Sequence, residues 1–158
     1  MKKICLFLAF YMFIVLLVAC GGKSETKKDI VIDTETFLKR IEEANPFVDT
    51  LGNTRDSVLS SVMFLSTDKI ETATLFMGTG YTGEAYGVFK CTSAEDAAAI
   101  VEELKTFVND QKDIYISYAP DAIPRFDSAI IRQQGVYVAY VVADDSAAAL
   151  KIVEEYFK

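Results

Sequence analysis

GVFKCTSAEDAAAIVEE, residues 87–103, decides the fold. Its first half is rich in β-branched and aromatic residues and closes a strand that starts near Glu84. Ser93 and Asp96 then make a Ser-x-x-Asp pair that approximates a capping box, and three alanines open a helix. Ala97, Ile100, Val101, Leu104, Phe107, Val108 and Gln111 repeat at helical spacing, while Glu102, Glu103, Lys105 and Asp110 face away. That stripe predicts a helix through Tyr115, packed on a sheet and stopped by Ala119-Pro120. YVVADDSAAALKIVEE, residues 140–155, repeats the plan of strand, acidic cap, triple alanine, Ile-Val pair and Glu-Glu. A duplicated ββα unit is one explanation of the likeness. Convergent use of the same caps and helix formers is the other.

The remaining elements are read around these two. Upstream, Glu71–Met77 and Glu84–Lys90 carry the Thr, Tyr, Phe and Val of two strands. Downstream, Ala129–Gln133 and Val136–Val142 predict a second hairpin turning at Gln134-Gly135, followed by a helix capped by Asp144 or Asp145 and reaching Phe157. Phe37, Leu38, Ile41 and Ala44 mark a first helix over Thr34–Ala44, capped by Asp33 or Thr34 and ended by Asn45-Pro46. Residues 47–69 suggest a turn at Leu51-Gly52-Asn53 and a short helix around Val58–Met63, and residues 119–127 read as an irregular turn. The expected class is α+β: an antiparallel sheet of about four strands with helices mainly on one face.

Between the first two strands lies Gly78-Thr79-Gly80-Tyr81-Thr82-Gly83, a literal G-x-G-x-x-G. A dinucleotide fingerprint follows a strand and opens a helix, so that the helix N-terminus meets the pyrophosphate. Here a second strand follows. A kinase-type glycine loop wants Val two residues after its last Gly, where this chain has Ala85, and neither H-R-D nor D-F-G is present. The segment is therefore expected to be a hairpin loop whose glycines supply positive φ angles.

The N-terminus sets the location. Lys2 and Lys3 precede an apolar run from Ile4 to Cys20 that stops at Gly21-Gly22, the pattern of a secretory signal. Leu17-Val18-Ala19-Cys20 resembles the lipobox of bacterial lipoproteins. The resemblance implies cleavage before Cys20, a diacylglyceryl group and further acylation (palmitate) at that cysteine, and a mature chain facing outside the cytoplasm on a cell membrane. An uncleaved anchor and simple secretion are the alternatives, since the run is about as long as the shortest spanning helix. The expected organisation is a signal peptide over 1–19, lipidated Cys20 and a flexible tether over 20–29, and one α+β domain over 30–158.

Loss of Lys2 and Lys3 takes the formal net charge from −7 to −9. An acidic chain of that kind argues against nucleic acid, whose affinity rests on neutralising phosphates. Loss of Cys5 with the signal and lipidation of Cys20 leave Cys91 alone, so no intramolecular disulfide is expected. Histidine is absent, which excludes Ser-His-Asp triads, Cys-His pairs and histidine-bearing zinc sites from this chain. No cofactor or calcium-loop motif is found.

The candidate residues each have a plain reading beside the functional one. Cys91 ends a strand beside a helix N-terminus, which can activate a thiol, but free cysteine is usually a small packed residue. Asp144-Asp145 fit a metal pair or, more ordinarily, a helix cap. Tyr81, Tyr86, Tyr115, Tyr118, Tyr137 and Tyr140 suit an aromatic recognition surface or half-buried sheet positions. Arg125 and Arg132 suit an acidic ligand or surface carboxylates.

Gly83-Glu84-Ala85-Tyr86-Gly87-Val88-Phe89-Lys90, the acidic-capped helix from Ser93, Tyr118-Ala119-Pro120, Ala129-Ile130-Ile131, Gly135-Val136-Tyr137-Val138 and Asp144-Asp145 together resemble an uncharacterised family of bacterial lipoproteins, the domain of unknown function DUF4358. The resemblance covers about residues 35–158 and implies lipoprotein and fold, without a reaction, cofactor or ligand. With no catalytic constellation, the expected role is a non-catalytic binding or protein-interaction module of the cell envelope, with an unknown envelope protein as partner. The alternative is a small-ligand sensor with a cleft near residues 78–83.

Overall fold

The structure, a computed structural model, describes residues 30–158. The expected signal peptide, the expected lipidation at Cys20 and the expected tether lie outside the described residues. The elements run α1 (Thr34–Ala44), β1 (Gly52–Asn53), α2 (Asp56–Ser61), β2 (Ile70–Met77), β3 (Ala85–Cys91), α3 (Ala94–Tyr118), α4 (Ile123–Asp127), β4 (Ile130–Gln134), β5 (Tyr137–Val142) and α5 (Ser146–Tyr156).

Local chemistry explains most boundaries. Asp33 caps α1 by accepting the Thr36 N–H at 3.0 Å and its hydroxyl at 2.7 Å. Asn45, before Pro46, is extended and ends it. Ser93 accepts the Asp96 N–H at 3.0 Å while the Asp96 carboxylate takes the Ser93 hydroxyl at 2.6 Å. That reciprocal pair starts α3, which runs for 25 residues, about 37 Å. Asp145 caps α5 through the Ala148 N–H. Residues 119–127, expected to be irregular, instead make a short 3₁₀ turn over Pro120–Ala122 and then α4. Pro120 and Pro124 sit in first turns, where a missing N–H is harmless.

The class is α+β, with an antiparallel five-stranded sheet ordered β1-β2-β3-β5-β4. The fifth strand, β1, is a two-residue edge pairing Gly52 with Met77 and Asn53 with Phe76, too short to leave a period in the sequence. A second difference concerns the helices, which cover both faces of the sheet and not mainly one. On one face Leu75, Ala85, Phe89, Val138, Tyr140 and Val142 form a core with Ile100, Leu104 and Phe107 of α3. On the other, Tyr86, Val88, Ala139 and Val141 pack with Phe37 and Ile41 of α1 and with Ile152 and Val153 of α5. Central β5 is buried at every position, so each face must be covered to keep its apolar side chains from water.

That arrangement bears on the apparent repeat. Both ββα units occur in chain order, and β3 and β5 lie side by side. Yet α3 packs on one face and α5 on the other. The likeness is thus one of element order, caps and helix formers, not of three-dimensional placement.

Candidate functional site

A cleft of about 500 Å³ opens where the 78–83 loop, α3 and the chain around α2 converge. Its origin is visible in the row of side chains that β3 turns toward α3. Cross-strand pairing aligns Met77, Ala85 and Val142, then Leu75, Gly87 and Tyr140, across that face. Leu75 fills the space beside Gly87, and beyond that packed stretch Met77 and Tyr140 reach a hollow that α3 roofs with Phe107, Gln111 and Tyr115. Gly87 has no room for more, because a Cβ would lie 2.7 Å from the Thr74 carbonyl oxygen. Phe126 of α4 and Val58 and Val62 from the α2 segment complete the apolar lining.

The rim is held from four sides. Gly78–Gly83 is the expected hairpin loop, with φ of 95° at Gly80 and 74° at Gly83. Asp49 accepts the Thr79 N–H at 2.6 Å and the Thr79 hydroxyl at 2.8 Å. Those bonds hold its carboxyl below the usual aspartate range. Tyr115 and Tyr118 both donate to the Gly80 carbonyl, at 2.6 and 2.8 Å. Arg125 donates to the Thr82 carbonyl at 3.1 Å and makes a two-point pair with Asp144. Behind the loop, Glu84 is 1 % exposed. Its carboxylate accepts the Val48 N–H at 3.1 Å and the Asp49 N–H at 2.9 Å. Glu84 thereby fixes the segment that presents Asp49 to Thr79.

The structure sorts the candidate residues. Tyr115 and Tyr140 line the cleft, Tyr118 clamps its loop, and Tyr81 stands exposed within that loop. Tyr86 and Tyr137 lie in the core of the opposite face, so the six tyrosines are not one recognition surface; the alternation of strand side chains parts them. Tyr86 is stacked between Phe47 and Phe76 at 5.1 and 4.9 Å. Burial, with the nearby Glu42 carboxylate, raises its phenol to about 12. Arg125 is occupied by Asp144 and Thr82, which removes it as a free ligand for an acid. Arg132 lies exposed on β4, away from the cleft. Asp144 and Asp145 have separate tasks, ion pair and helix cap. Cys91 is 1 % exposed, and burial, then Asp96 and Glu103, push its thiol up to about 11, the opposite of activation.

Several cleft residues carry no sequence signal. Arg55 belongs to no motif, Gln111 reads only as the end of the inward stripe of α3, and Glu84 reads as a strand-opening residue. Only the Gly-Glu junction at Gly83-Glu84 hints at a special position: a Cβ on Gly83 would lie 2.4 Å from the Phe126 ring.

The model of one protein family, a domain of unknown function (DUF4358), matches residues 59–143. The match takes in the glycine loop, α3, α4 and β5, and leaves Asp49 and the Gly52–Val58 wall outside. No curated protein and no solved structure matches the chain.

Proposed function

This chain belongs to the DUF4358 family, and from that premise we propose that it is a non-catalytic binding module of the cell envelope. Its working site is the cleft beside the 78–83 loop, and the module is tethered by lipid on Cys20. One observation carries the reading: an apolar-floored hollow whose rim is fixed by five side chains. A cleft of this volume is within the range that small-molecule sites occupy. A pinned rim means that little ordering entropy is lost on binding. Of the two roles expected from sequence, the small-ligand one gains most support from this geometry. Glu84 and Asp49 already spend their carboxylates on backbone N–H groups, and Asp49 takes the Thr79 hydroxyl as well.

The test is thermal unfolding of the full-length chain with amino acids, sugars, peptides and metal ions. A ligand at 100 times its Kd adds about 2.7 kcal/mol. The expected result is stabilisation by a small molecule that is lost in Val62→Trp, which fills the mouth. Absence of any stabilisation, or an undiminished effect in that variant, sinks the proposal. The tether has its own test: the mature N-terminal peptide gains the mass of a lipid at Cys20, and Cys20→Ala moves the protein out of the membrane fraction.

A protein partner is the second reading, favoured by Phe64. It is 77 % exposed and holds a φ of 56°, an unusual conformation for a bulky residue. Cross-linking in intact cells, compared between wild type and Phe64→Ala, tests it.

A further inference from the structure

The charged groups around the cleft are unequally engaged, and that imbalance selects the charge of what the site accepts. The carboxylates are occupied: Glu84 by the Val48 and Asp49 N–H groups, and Asp49 by Thr79 and Thr50, while the Gly80 carbonyl takes two tyrosines. Arg55 and two neutral side chains are not. Tyr140 is 1 % exposed, lines the cleft, and its hydroxyl makes no hydrogen bond among the described residues. Among the described residues the buried side-chain atom left without a partner is Asn45 Oδ1, so the Tyr140 hydroxyl itself opens on the cleft, where a ligand acceptor can reach it. The Gln111 amide likewise lacks a partner among the described residues. Arg55, the cation lining the cleft, forms no ion pair among them.

We infer that the cleft binds a small apolar carboxylate carrying a second oxygen acceptor. Its carboxylate is held by Arg55 at the mouth, its apolar body lies against Met77, Phe107 and Phe126, and its second acceptor meets the Tyr140 hydroxyl. The guanidinium fork suits a carboxylate because two parallel N–H bonds reach its two oxygens. A cationic ligand finds no free carboxylate there.

The inference rests on the cleft being a ligand site, and the test separates the two. N-acetylphenylalanine, which has the acid, the apolar body and an amide carbonyl, is titrated into the full-length chain in detergent micelles. Its neutral amide and the cation phenylalaninamide are the comparators, and binding is read by ligand-observed NMR with empty micelles subtracted. The acid is expected to bind at least tenfold more tightly than the amide, and phenylalaninamide least. Arg55→Gln is expected to bring the acid within threefold of the amide. Tyr140→Phe is expected to weaken acid and amide alike by threefold or more, with the fold checked by circular dichroism. If the amide binds as well as the acid, or the cation binds best, the ligand class is wrong while the cleft remains a site. Tight binding of the acid that Arg55→Gln leaves unchanged also overturns it. If none of the three binds and Val62→Trp changes nothing for any small molecule, the cleft reading itself falls.

Discussion

Glu84→Gln isolates the residue that ties the two sides of the site together. The glutamate side chain is buried and serves two backbone N–H groups with two equivalent oxygens. Glutamine keeps the shape but offers one oxygen. If that oxygen takes the Asp49 N–H, the amide group is left facing the Val48 N–H, donor against donor. An unpaired buried donor costs about 1–3 kcal/mol, and a bond to a charged acceptor contributes about 1.5–3 kcal/mol. Against this, a buried carboxylate carries a desolvation penalty of several kcal/mol that the neutral amide escapes in part. The balance is a loss of about 2 kcal/mol. With a urea slope of roughly 2 kcal/mol per M, the midpoint falls by about 1 M with the slope unchanged. The chain has no tryptophan, so far-UV circular dichroism at pH 7 is the probe, with the exposed Glu95→Gln as control. Hydrogen exchange at Val48 and Asp49 should accelerate selectively. A midpoint within about 0.2 M of wild type would show that the carboxylate does not hold this segment, and would refute the account of the rim.

Four further outcomes follow from the same geometry. Gly83→Ala meets the Phe126 ring at 2.4 Å with φ at 74°; overpacking and left-handed strain together cost about 3 kcal/mol, measured by the same urea titration. Tyr140→Phe removes a hydroxyl that opens on the cleft and makes no hydrogen bond among the described residues, and should leave the stability of the ligand-free chain within about 0.5 kcal/mol of wild type, read from the Tm. Cys91, with its thiol raised to about 11 by burial, should not react with a disulfide reagent at pH 8 until denaturant unfolds the chain, which a colorimetric thiol assay reads. Asp49 is held below its ordinary value by Thr79. Glu103 is also lowered: burial alone would raise it, but the Ser66 N–H and hydroxyl with Lys69 outweigh that. A depressed carboxyl contributes stability that is complete above its unfolded value and is lost as pH falls through its folded one. The urea midpoint should therefore stay level from pH 7 to 5 and decline below about 4.5, less steeply in Asp49→Asn.

The fold was largely legible because its boundaries are set by local chemistry. Asp33, Ser93 with Asp96, and Asp145 each cap the helix that their position announced, and Asn45-Pro46 ends α1 where the proline rule places it. What could not be read is non-local. The strand Ala85–Cys91 reads as half-buried by composition, but both of its faces are covered because α1 and α5 return to the side that α3 leaves open. No period in either helix says which face it will take. A two-residue edge strand likewise carries no pattern. The glycine loop marked the neighbourhood of the cleft, and its strand-loop-strand context ruled out a phosphate cradle. Arg55, Gln111 and Tyr140 are far apart in the chain, so their convergence depends on a register that pairs Gly87 with Tyr140.

That register explains why the site sits where it does. Tyr140 pairs in register with Gly87, whose own space is taken by Leu75, and its side chain reaches the cleft lining. Gly87 cannot be enlarged, since a Cβ there would lie 2.7 Å from the Thr74 carbonyl oxygen and 2.8 Å from Leu75 Cδ1. A sequence selected only for packing density would close such a gap with a branched side chain on α3. Here α3 places a glutamine there, leaves its amide without a partner among the described residues, and commits Tyr115 and Tyr118, one and two turns further on, to holding the Gly80 carbonyl. Bonds are thus concentrated on the rim and withheld from the floor. Stabilising the frame while leaving polar groups open inside it fits a preformed site better than it fits a structural core.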